Sequence, residues 1–212
     1  MTNRCDECKG IHDCNQDRVG YSRGLRCKYN FRGTSNNNLI ELDKYNSIDI
    51  TNWEDIKKHI NSKHSLFVYG GFGLGKTHLL YYLANTYNKK GHGIYINKMA
   101  DISKALRDEI QYNKSTGEMR ISEVDKMKDV KLLFIDDIGN EKMTEFIHES
   151  LAIVIDHRYL HNMPTFISSN YDIEELQDVY EKKIGEIKAG QLCSRIKSFG
   201  VKEIKGRNQR NE

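Results

Sequence analysis

The sequence lacks any apolar run that approaches the roughly 18–20 residues a helix needs to cross a bilayer. Residues 1–8 also lack the apolar stretch of a secretory signal peptide. Hydrophobic residues make up 38% of the chain and the mean hydropathy is −0.70, which predicts a small core beneath a very polar surface. We therefore expect a cytoplasmic protein with no membrane partner.

The chain also has little net charge, since 33 basic residues face 30 acidic ones. This balance by itself says little about nucleic acid. The distribution is more informative, because nine basic residues between Lys182 and Glu212 are opposed by only three acidic ones. A carboxy-terminal face of this kind suits a phosphate backbone, although a solvated, solubilising tail has the same composition.

Cysteine is nearly absent outside the amino terminus, where four of the five cysteines lie within the first 27 residues. In a reducing compartment such clustering favours metal binding over disulfides. Four thiolates suffice for a tetrahedral zinc site, and His12 is an alternative ligand. We expect a zinc-binding segment over residues 1–32, or else a tail with free thiols, followed by a polar linker over 33–50. The candidate zinc ligands are Cys5, Cys8, Cys14 and Cys27.

From residue 51 onward, short apolar segments alternate with helical patterns. This alternation predicts one α/β domain over residues 51–212, in which helices cover both faces of a parallel sheet and ligands bind beyond the carboxyl ends of the strands. A capping box, Thr51-x-x-Glu54, predicts the start of the first helix. Strands are predicted over 66–69, 93–96, 132–135, 165–168 and 201–204. Further helices are predicted over 76–89, 102–110, 121–127, 146–155, 173–180 and 187–197.

A glycine-rich loop follows the first predicted strand and matches the phosphate-binding pattern G-x-x-x-x-G-K-[ST] in full. Its glycines permit the backbone N–H groups to approach phosphates, and the helix that follows points its positive end at them. Lys76 supplies a charge to the β and γ phosphates, and the Thr77 hydroxyl is a ligand for Mg²⁺. The alternative is a flexible glycine turn, which the flanking strand and helix disfavour. The residues assigned to ATP are Gly70, Gly71, Phe72, Gly73, Leu74, Gly75, Lys76, Thr77 and His78.

Two adjacent acids, Asp136 and Asp137, end the third predicted strand. In P-loop NTPases an acid at this place holds the magnesium, so we assign Asp136 to the metal. We assign Asp137 to orienting the attacking water, which requires hydrogen-bond reach. The alternative is a pair of acids that cap the next helix, and the glycine loop favours the catalytic interpretation.

Three segments together resemble the AAA+ ATPases of the DnaC/DnaI helicase-loader group and the related IstB transposition helpers. They are Gly-x-Gly-Lys-Thr-His at 73–78, Leu-Leu-Phe-Ile-Asp-Asp-Ile-Gly at 132–139 and Phe-Ile-Ser-Ser-Asn at 166–170. The resemblance covers residues from about 50 to 212 and implies a P-loop ATPase of the AAA+ type. Only a few polar residues follow Glu203, so we do not expect the helical lid of many AAA+ enzymes.

The resemblance also implies two catalytic side chains beyond the motifs. Asn170 matches a polar sensor that contacts the γ-phosphate or the attacking water, although it could be a turn residue. Arg195 matches an arginine finger that a neighbouring subunit inserts into the ATP site, which implies head-to-tail self-association. The alternative places Arg195 on the basic carboxy-terminal face. Arg158 is a rival finger that we interpret as part of a helix flank.

The function implied by the resemblance is that of a helicase loader, which binds a replicative DnaB-type helicase and single-stranded DNA and uses ATP with Mg²⁺ as a switch. The zinc segment would be a trimmed version of the helicase-binding domain of such loaders. A single-strand path is predicted along Lys98, Lys104, Arg107 and Lys114, with Tyr112 as a stacking surface. The alternatives are an IstB-type helper of a transposase on double-stranded DNA, a small-molecule kinase and a non-hydrolysing nucleotide-gated adaptor.

Overall fold

The computed structural model describes residue 45, residues 47–116 and residues 122–206. The four candidate zinc cysteines and His12 lie outside these ranges, so the zinc segment stays a prediction. Across the described ranges, no helix has the length and apolar character of a membrane span. The same ranges contain no group of three or more histidine, cysteine or acidic side chains placed to hold a metal ion.

Seven helices and five strands alternate along the described residues. The strands are β1 (Leu66–Tyr69), β2 (Ile94–Lys98), β3 (Leu132–Ile138), β4 (Thr165–Ser169) and β5 (Val201–Glu203). The helices are α1 (Trp53–Lys63), α2 (Lys76–Lys89), α3 (Met99–Thr116), α4 (Glu123–Asp129), α5 (Glu145–Leu160), α6 (Ile173–Ile184) and α7 (Glu186–Ser198).

The strands form one parallel sheet in the order β2-β3-β4-β1-β5. Because neighbouring strands are parallel, the carboxyl ends of β1, β3 and β4 meet at one edge, and the segments that enter the strands meet at the opposite edge. The predicted α/β fold with a parallel sheet is therefore confirmed.

Two hydrophobic clusters cover the two faces of this sheet. Alternation along β3 divides its residues between them: Leu133 and Ile135 pack in one cluster, and Leu132 and Phe134 pack in the other. Phe134 stacks on Phe166 of β4, with ring centroids 4.7 Å apart. Burial of each apolar side chain of this size contributes about 1.5–3 kcal/mol to the stability of the fold. Because the side chains of β3 alternate between the two clusters, its uninterrupted apolar run stabilises both faces of the sheet.

The predicted capping box at the start of α1 is wrong. The helix begins at Trp53, and Asn52 at its N-cap makes no side-chain capping bond. Instead, the Asn52 Nδ2 donates to the Glu203 carbonyl at 2.7 Å, and the Lys205 N–H donates to the Asn52 Oδ1 at 3.1 Å. The Thr51 N–H donates to the Lys205 carbonyl. These polar groups tie the start of α1 to the end of β5, a long-range contact that a local pattern does not reveal.

Candidate nucleotide-binding site

The glycine loop joins the carboxyl end of β1 to the amino end of α2. Gly70, Gly73 and Gly75 all have positive φ, at 148°, 77° and 88°, which side chains rarely tolerate. A Cβ on Gly70 would lie 3.1 Å from the Ile204 carbonyl oxygen, so this glycine also permits a close approach to the end of β5. With Gly75 as its N-cap, α2 begins at Lys76, so the first N–H groups of the helix point towards the loop.

The Lys76 side chain lies across the loop and is only 7% exposed. Its Nζ donates to the Gly70 and Gly71 carbonyl oxygens, at 2.7 Å each. The ammonium is thus desolvated and held over the loop. Phosphate oxygens entering the loop could take the place of these carbonyls as charge-assisted acceptors.

The Asp136 carboxylate is 1% exposed and lies against the start of α2. Thr77 Oγ1 donates to both of its oxygens, at 3.1 and 3.0 Å, and Ser168 Oγ donates to Oδ1 at 2.6 Å. Burial raises the pKa of Asp136, while the hydrogen bonds from Ser168 and Thr77 lower it. A hydroxyl and a carboxylate in contact are oxygen ligands of the kind that Mg²⁺ prefers, so the residues present fit the metal assigned to them.

The Asp137 side chain turns towards the same space because the strand is irregular here. Its φ is 60°, in the left-handed region, and the pairing of β3 with β4 shifts register between Ile135 and Ile138. Irregularities of this kind redirect side chains at functional sites. The Asp137 Oδ1 accepts hydrogen bonds from Asn170 Nδ2 at 2.9 Å and from Asn140 Nδ2 at 2.7 Å.

These groups surround one pocket of about 610 Å³, a size typical of small-molecule sites. The structure brings together residues 72–78 of the glycine loop, both aspartates and Asn170. Four lining residues were not assigned to the nucleotide from the sequence: Tyr45, Lys98, Asn140 and Ser168. Ser168 lies within the segment 166–170 that carried the resemblance, and Asn140 directly follows the segment 132–139, so their positions were the signal that could have identified them.

Tyr45 reaches the pocket wall because the segment before α1 is fastened to α2. The Asn85 Nδ2 donates to the Tyr45 carbonyl at 3.0 Å, and a His78 ring nitrogen lies 2.7 Å from the Ser47 carbonyl. The Tyr45 ring contacts the rings of His78 and Tyr81, with centroids 5.0 Å apart in each case. This wall offers an aromatic surface for a nucleotide base.

Lys98 occupies a different place from the one its predicted role requires. We expected it on a single-strand path, but it ends β2 opposite Asp136 in the strand register and lines the pocket. Its charge lowers the pKa of Asp136, in opposition to burial. Lys104 and Arg107 are exposed on α3, and the side chains of Lys114 and Tyr112 lie outside the described part of the chain. The position of Lys98 favours a role at the nucleotide.

The predicted finger, Arg195, is exposed on α7 and does not line the pocket of its own chain. Its Nε donates to Asp156 Oδ1 at 2.9 Å, and the guanidinium lies 5.1 Å from the centre of the Tyr159 ring. An arginine that acts in a neighbouring subunit would have this exposure, so the role stays a prediction. Arg158, the rival, is fully buried in the fold and cannot reach another subunit from there.

The glycine loop at the end of β1, with the two acids of β3 facing it, defines a P-loop nucleotide-binding domain. The family model described as IstB-like ATP binding protein matches residues 40–190. The chain belongs to this family of ATP-binding proteins, which confirms the resemblance inferred from its motifs and places it among the P-loop ATPases.

A replicative helicase loader, DnaI of Bacillus subtilis, is 32% identical over 154 residues, which are 69% of this chain and 47% of that protein. The chain thus spans about half the length of this curated relative. A crystal structure of DnaI superposes with a TM-score of 0.59 at 23% identity, over 84% of this chain and 94% of the other. The structure of AMPPCP-bound DnaA from Aquifex aeolicus superposes with a TM-score of 0.60 at 21% identity, over 80% of this chain and 51% of the other. At these identities the two structures show the shared fold.

Proposed function

We propose that this protein is an ATP-dependent helicase loader, which uses ATP binding and hydrolysis to place a replicative helicase of the DnaB type on single-stranded DNA. The observation that carries the proposal is the match to the DnaI loader, which is 32% identical to this chain and extends over 69% of it. The geometry of the nucleotide pocket supports a role for each of its side chains in the ATPase part of the cycle.

Binding rests on the loop and on Lys76. The loop amides and the amino end of α2 would receive the phosphates, and Lys76 adds a desolvated positive charge beside them. The Thr77 hydroxyl and the Asp136 carboxylate would hold Mg²⁺, which neutralises charge on the β and γ phosphates. Tyr45 and His78 form the wall on which the base would lie.

Hydrolysis rests on Asp137, Asn140 and Asn170. The two asparagine amides hold the Asp137 carboxylate in the pocket, where it could accept a proton from an attacking water. Asn170 is close enough to this carboxylate to share contact with that water or with the γ-phosphate, which is the sensor role predicted for it. An aspartate reaches less far than a glutamate, so the left-handed backbone at Asp137 is part of how the carboxylate is presented.

The proposed cycle includes a second subunit. Arg195 does not line the pocket of its own chain and is exposed for a neighbour, so head-to-tail association would complete the ATP site. Its ion pair with Asp156 is half exposed and contributes little to stability. The arginine can therefore leave Asp156 at small cost when a neighbour's triphosphate is present.

The remaining partners follow from the loader role. The cysteine segment over 1–32 would bind zinc and contact the helicase, and residues 33–50 would join it to the ATPase domain over 51–212, with Tyr45 and Ser47 of this joining segment held against α2. Single-stranded DNA would be the substrate onto which the helicase is placed, in the cytoplasm of the cell.

The proposal is tested by mixing the full chain with the replicative helicase of its own organism and measuring complex formation by size-exclusion chromatography with ATP, with ADP and without nucleotide. We expect a complex that depends on ATP and is lost in Lys76→Ala. The matched control is Lys104→Ala, an exposed lysine on α3 that should leave the complex intact. Absence of a complex under all three conditions would contradict the loader role.

A second candidate is an ATP-dependent helper of a DNA transposase. The family model itself favours it, because its description is that of an IstB-like protein. Recovery of a transposase, and no helicase, with the tagged chain from its own cells would replace the loader role by this one. The ATP site and its chemistry would be the same in both cases.

A further inference from the structure

The parallel sheet has a second edge, opposite to the ATP pocket, where the chain segments enter the strands. The loops before β2, β3 and β4 are adjacent there, because these strands are neighbours in the sheet. The Leu132 N–H donates to the Gly93 carbonyl, and the Leu133 N–H donates to the Pro164 carbonyl, at 3.2 Å each. Three segments that are far apart in sequence therefore form one continuous border.

This border carries a concentration of basic side chains, which we name the basic edge: Lys89, Lys90, His92, Lys128, Lys131, His157 and His161. Lys131 Nζ lies 2.9 Å from the His92 Nδ1, and the rings of His157 and His161 stack with centroids 4.2 Å apart. Lys128 pairs with Asp125 at 3.4 Å, and Asp129 adds a second acid. Among the described residues, Lys90, Lys128 and Lys131 outnumber these two acids, so the edge is positive even with its histidines neutral.

A buried arginine fastens the loops of the basic edge to one another. Arg158 is fully buried and donates to five carbonyl oxygens and one hydroxyl. The carbonyls of Met127, Lys128, Val130 and Lys131 lie in the segment that enters β3, whereas that of Pro164 and the Thr165 hydroxyl lie at the entry to β4.

None of the six groups that Arg158 contacts carries a charge, so its positive charge is not neutralised by direct contact. Burial lowers the pKa of Arg158 to about 9, while the charge of Asp129 opposes the shift, and at that value the guanidinium still carries its charge at neutral pH. The neighbouring residue His157 also has a lowered pKa. Burial is the main cause, followed by the charges of His161 and Lys128. The edge therefore has a rigid base with a buried positive charge beneath its surface lysines. A border of lysines that only served solubility would need neither feature.

We propose that the basic edge binds the phosphate backbone of DNA, on the side of the sheet opposite to the ATP pocket. Neighbouring strands are about 4.8 Å apart, so three strands span about 10 Å. Along the axis of a duplex, where each strand carries one charge per roughly 3.4 Å, that length corresponds to about three phosphates. Lysines on separate loops could thus contact successive phosphates without reading base sequence. The inference deepens the proposed loader function, on which it rests for the identity of the polyanion.

The test measures binding of the full chain to a labelled single strand and to a labelled duplex, by fluorescence anisotropy at several salt concentrations. The variant is Lys90→Gln with Lys131→Gln, which removes one lysine from each of two loops. The matched control is Lys104→Gln with Arg107→Gln, on the surface of α3 first predicted to contact DNA. ATP turnover in each variant shows that the nucleotide site is intact.

We expect the edge variant to bind DNA at least about tenfold more weakly than wild type near physiological salt. The slope of log K for DNA binding against log salt should become less steep by roughly 1.4–1.8, because two phosphate contacts are lost. The control variant should bind like wild type. The single strand and the duplex are compared in the same titration, and the one that loses affinity in the edge variant is the form bound there.

Three results would overturn the inference. The first is undiminished binding by the edge variant, and the second is failure of the wild type to bind either DNA. The third is unchanged DNA binding with loss of the helicase complex, which would make the edge a protein-docking surface. Failure of the loader role itself would be recognised separately, since the edge variant and wild type would then both lack a helicase complex while differing in DNA binding.

Discussion

The two edges of the sheet each bury a charged side chain, and they stabilise it in different ways. At the carboxyl edge, the hydroxyls of Thr77 and Ser168 donate to the Asp136 carboxylate, and Mg²⁺ and Lys98 would supply the positive charge that offsets its burial. At the amino edge, Arg158 is surrounded by six neutral acceptors of its own chain. The Asp136 charge would therefore be fully stabilised only with a bound ligand, whereas the hydrogen bonds of Arg158 come from its own chain. Replacing the catalytic carboxylate at the first edge should therefore change function, whereas replacing the buried arginine at the second should change stability.

The largest expected effect is on catalysis at the carboxyl edge. Asp137→Ala removes the carboxylate that Asn140 and Asn170 hold, and we expect ATP turnover to fall by about 10²–10⁴-fold. Affinity for ATP should change little, because the loop and Lys76 are intact. Steady-state turnover and equilibrium nucleotide binding measure the two quantities. A variant that hydrolyses ATP at the wild-type rate would show that Asp137 has no catalytic role.

A large effect on stability is expected at the amino edge. Arg158→Met leaves several buried carbonyl oxygens without a donor, and we expect the free energy of unfolding to fall by about 3–5 kcal/mol. Arg195→Met is the matched control, since its ion pair with Asp156 is exposed and contributes under about 1 kcal/mol. Urea denaturation compares the two variants. Equal losses would remove the distinction between a structural and an exposed arginine.

A smaller effect concerns the pH dependence of stability at the carboxyl edge. Burial raises the pKa of Asp136 above its ordinary value of 3.8, so the folded chain keeps this proton to a higher pH than the unfolded chain does. The stabilisation is present below the unfolded pKa and is lost as pH rises through the folded pKa. Each unit of difference corresponds to about 1.4 kcal/mol.

The nucleotide-free Asp136→Asn protein should therefore lose less stability than wild type as pH is raised from about 4 to neutrality. Denaturation of both proteins at each pH isolates the contribution of this carboxyl. In wild type, Mg²⁺ with ATP should restore the stability that the charged carboxylate removes. Parallel pH profiles for the two proteins would contradict the assignment of a buried, unfavourable charge to Asp136.

The smallest effect is expected for Lys98→Gln, which removes a positive charge from the pocket wall. Affinity for ATP should fall by about fivefold or less, as expected for one charge in a solvated pocket. Lys104→Gln, six residues further along the chain and exposed on α3, should leave the affinity unchanged. Isothermal titration with ATP measures both affinities. Equal affinities of the Lys98→Gln protein and wild type would contradict a role at the nucleotide and favour the predicted role of Lys98 on a single-strand path.

Local patterns in the sequence predicted the sheet and the centre of the site. The glycine loop, the acid pair and Asn170 each follow an apolar strand, and parallel strands bring such ends together whatever lies between them. The start of α1 was predicted wrongly because Asn52 and Thr51 bond to Glu203 and Lys205, about 150 residues away.

Other features of the site depend on the folded backbone and had no signal of their own. The shift in register between Ile135 and Ile138 turns Asp137 into the pocket, and no pattern of residue types shows it. Tyr45 reaches the wall only through contacts with Asn85 and His78. Arg158 has an ordinary place in a helical pattern, and its burial depends on how the loops before β3 and β4 close around it.

The central claim is that the loop and Lys76 form the phosphate site of an ATP-binding domain. Its most direct test is the affinity for ATP of Lys76→Ala beside that of Lys104→Ala, measured by titration with Mg²⁺ present. Loss of charge-assisted hydrogen bonds of about 1.5–3 kcal/mol predicts a fall of about 10- to 100-fold for Lys76→Ala alone. Wild-type affinity in a folded Lys76→Ala protein would contradict the account.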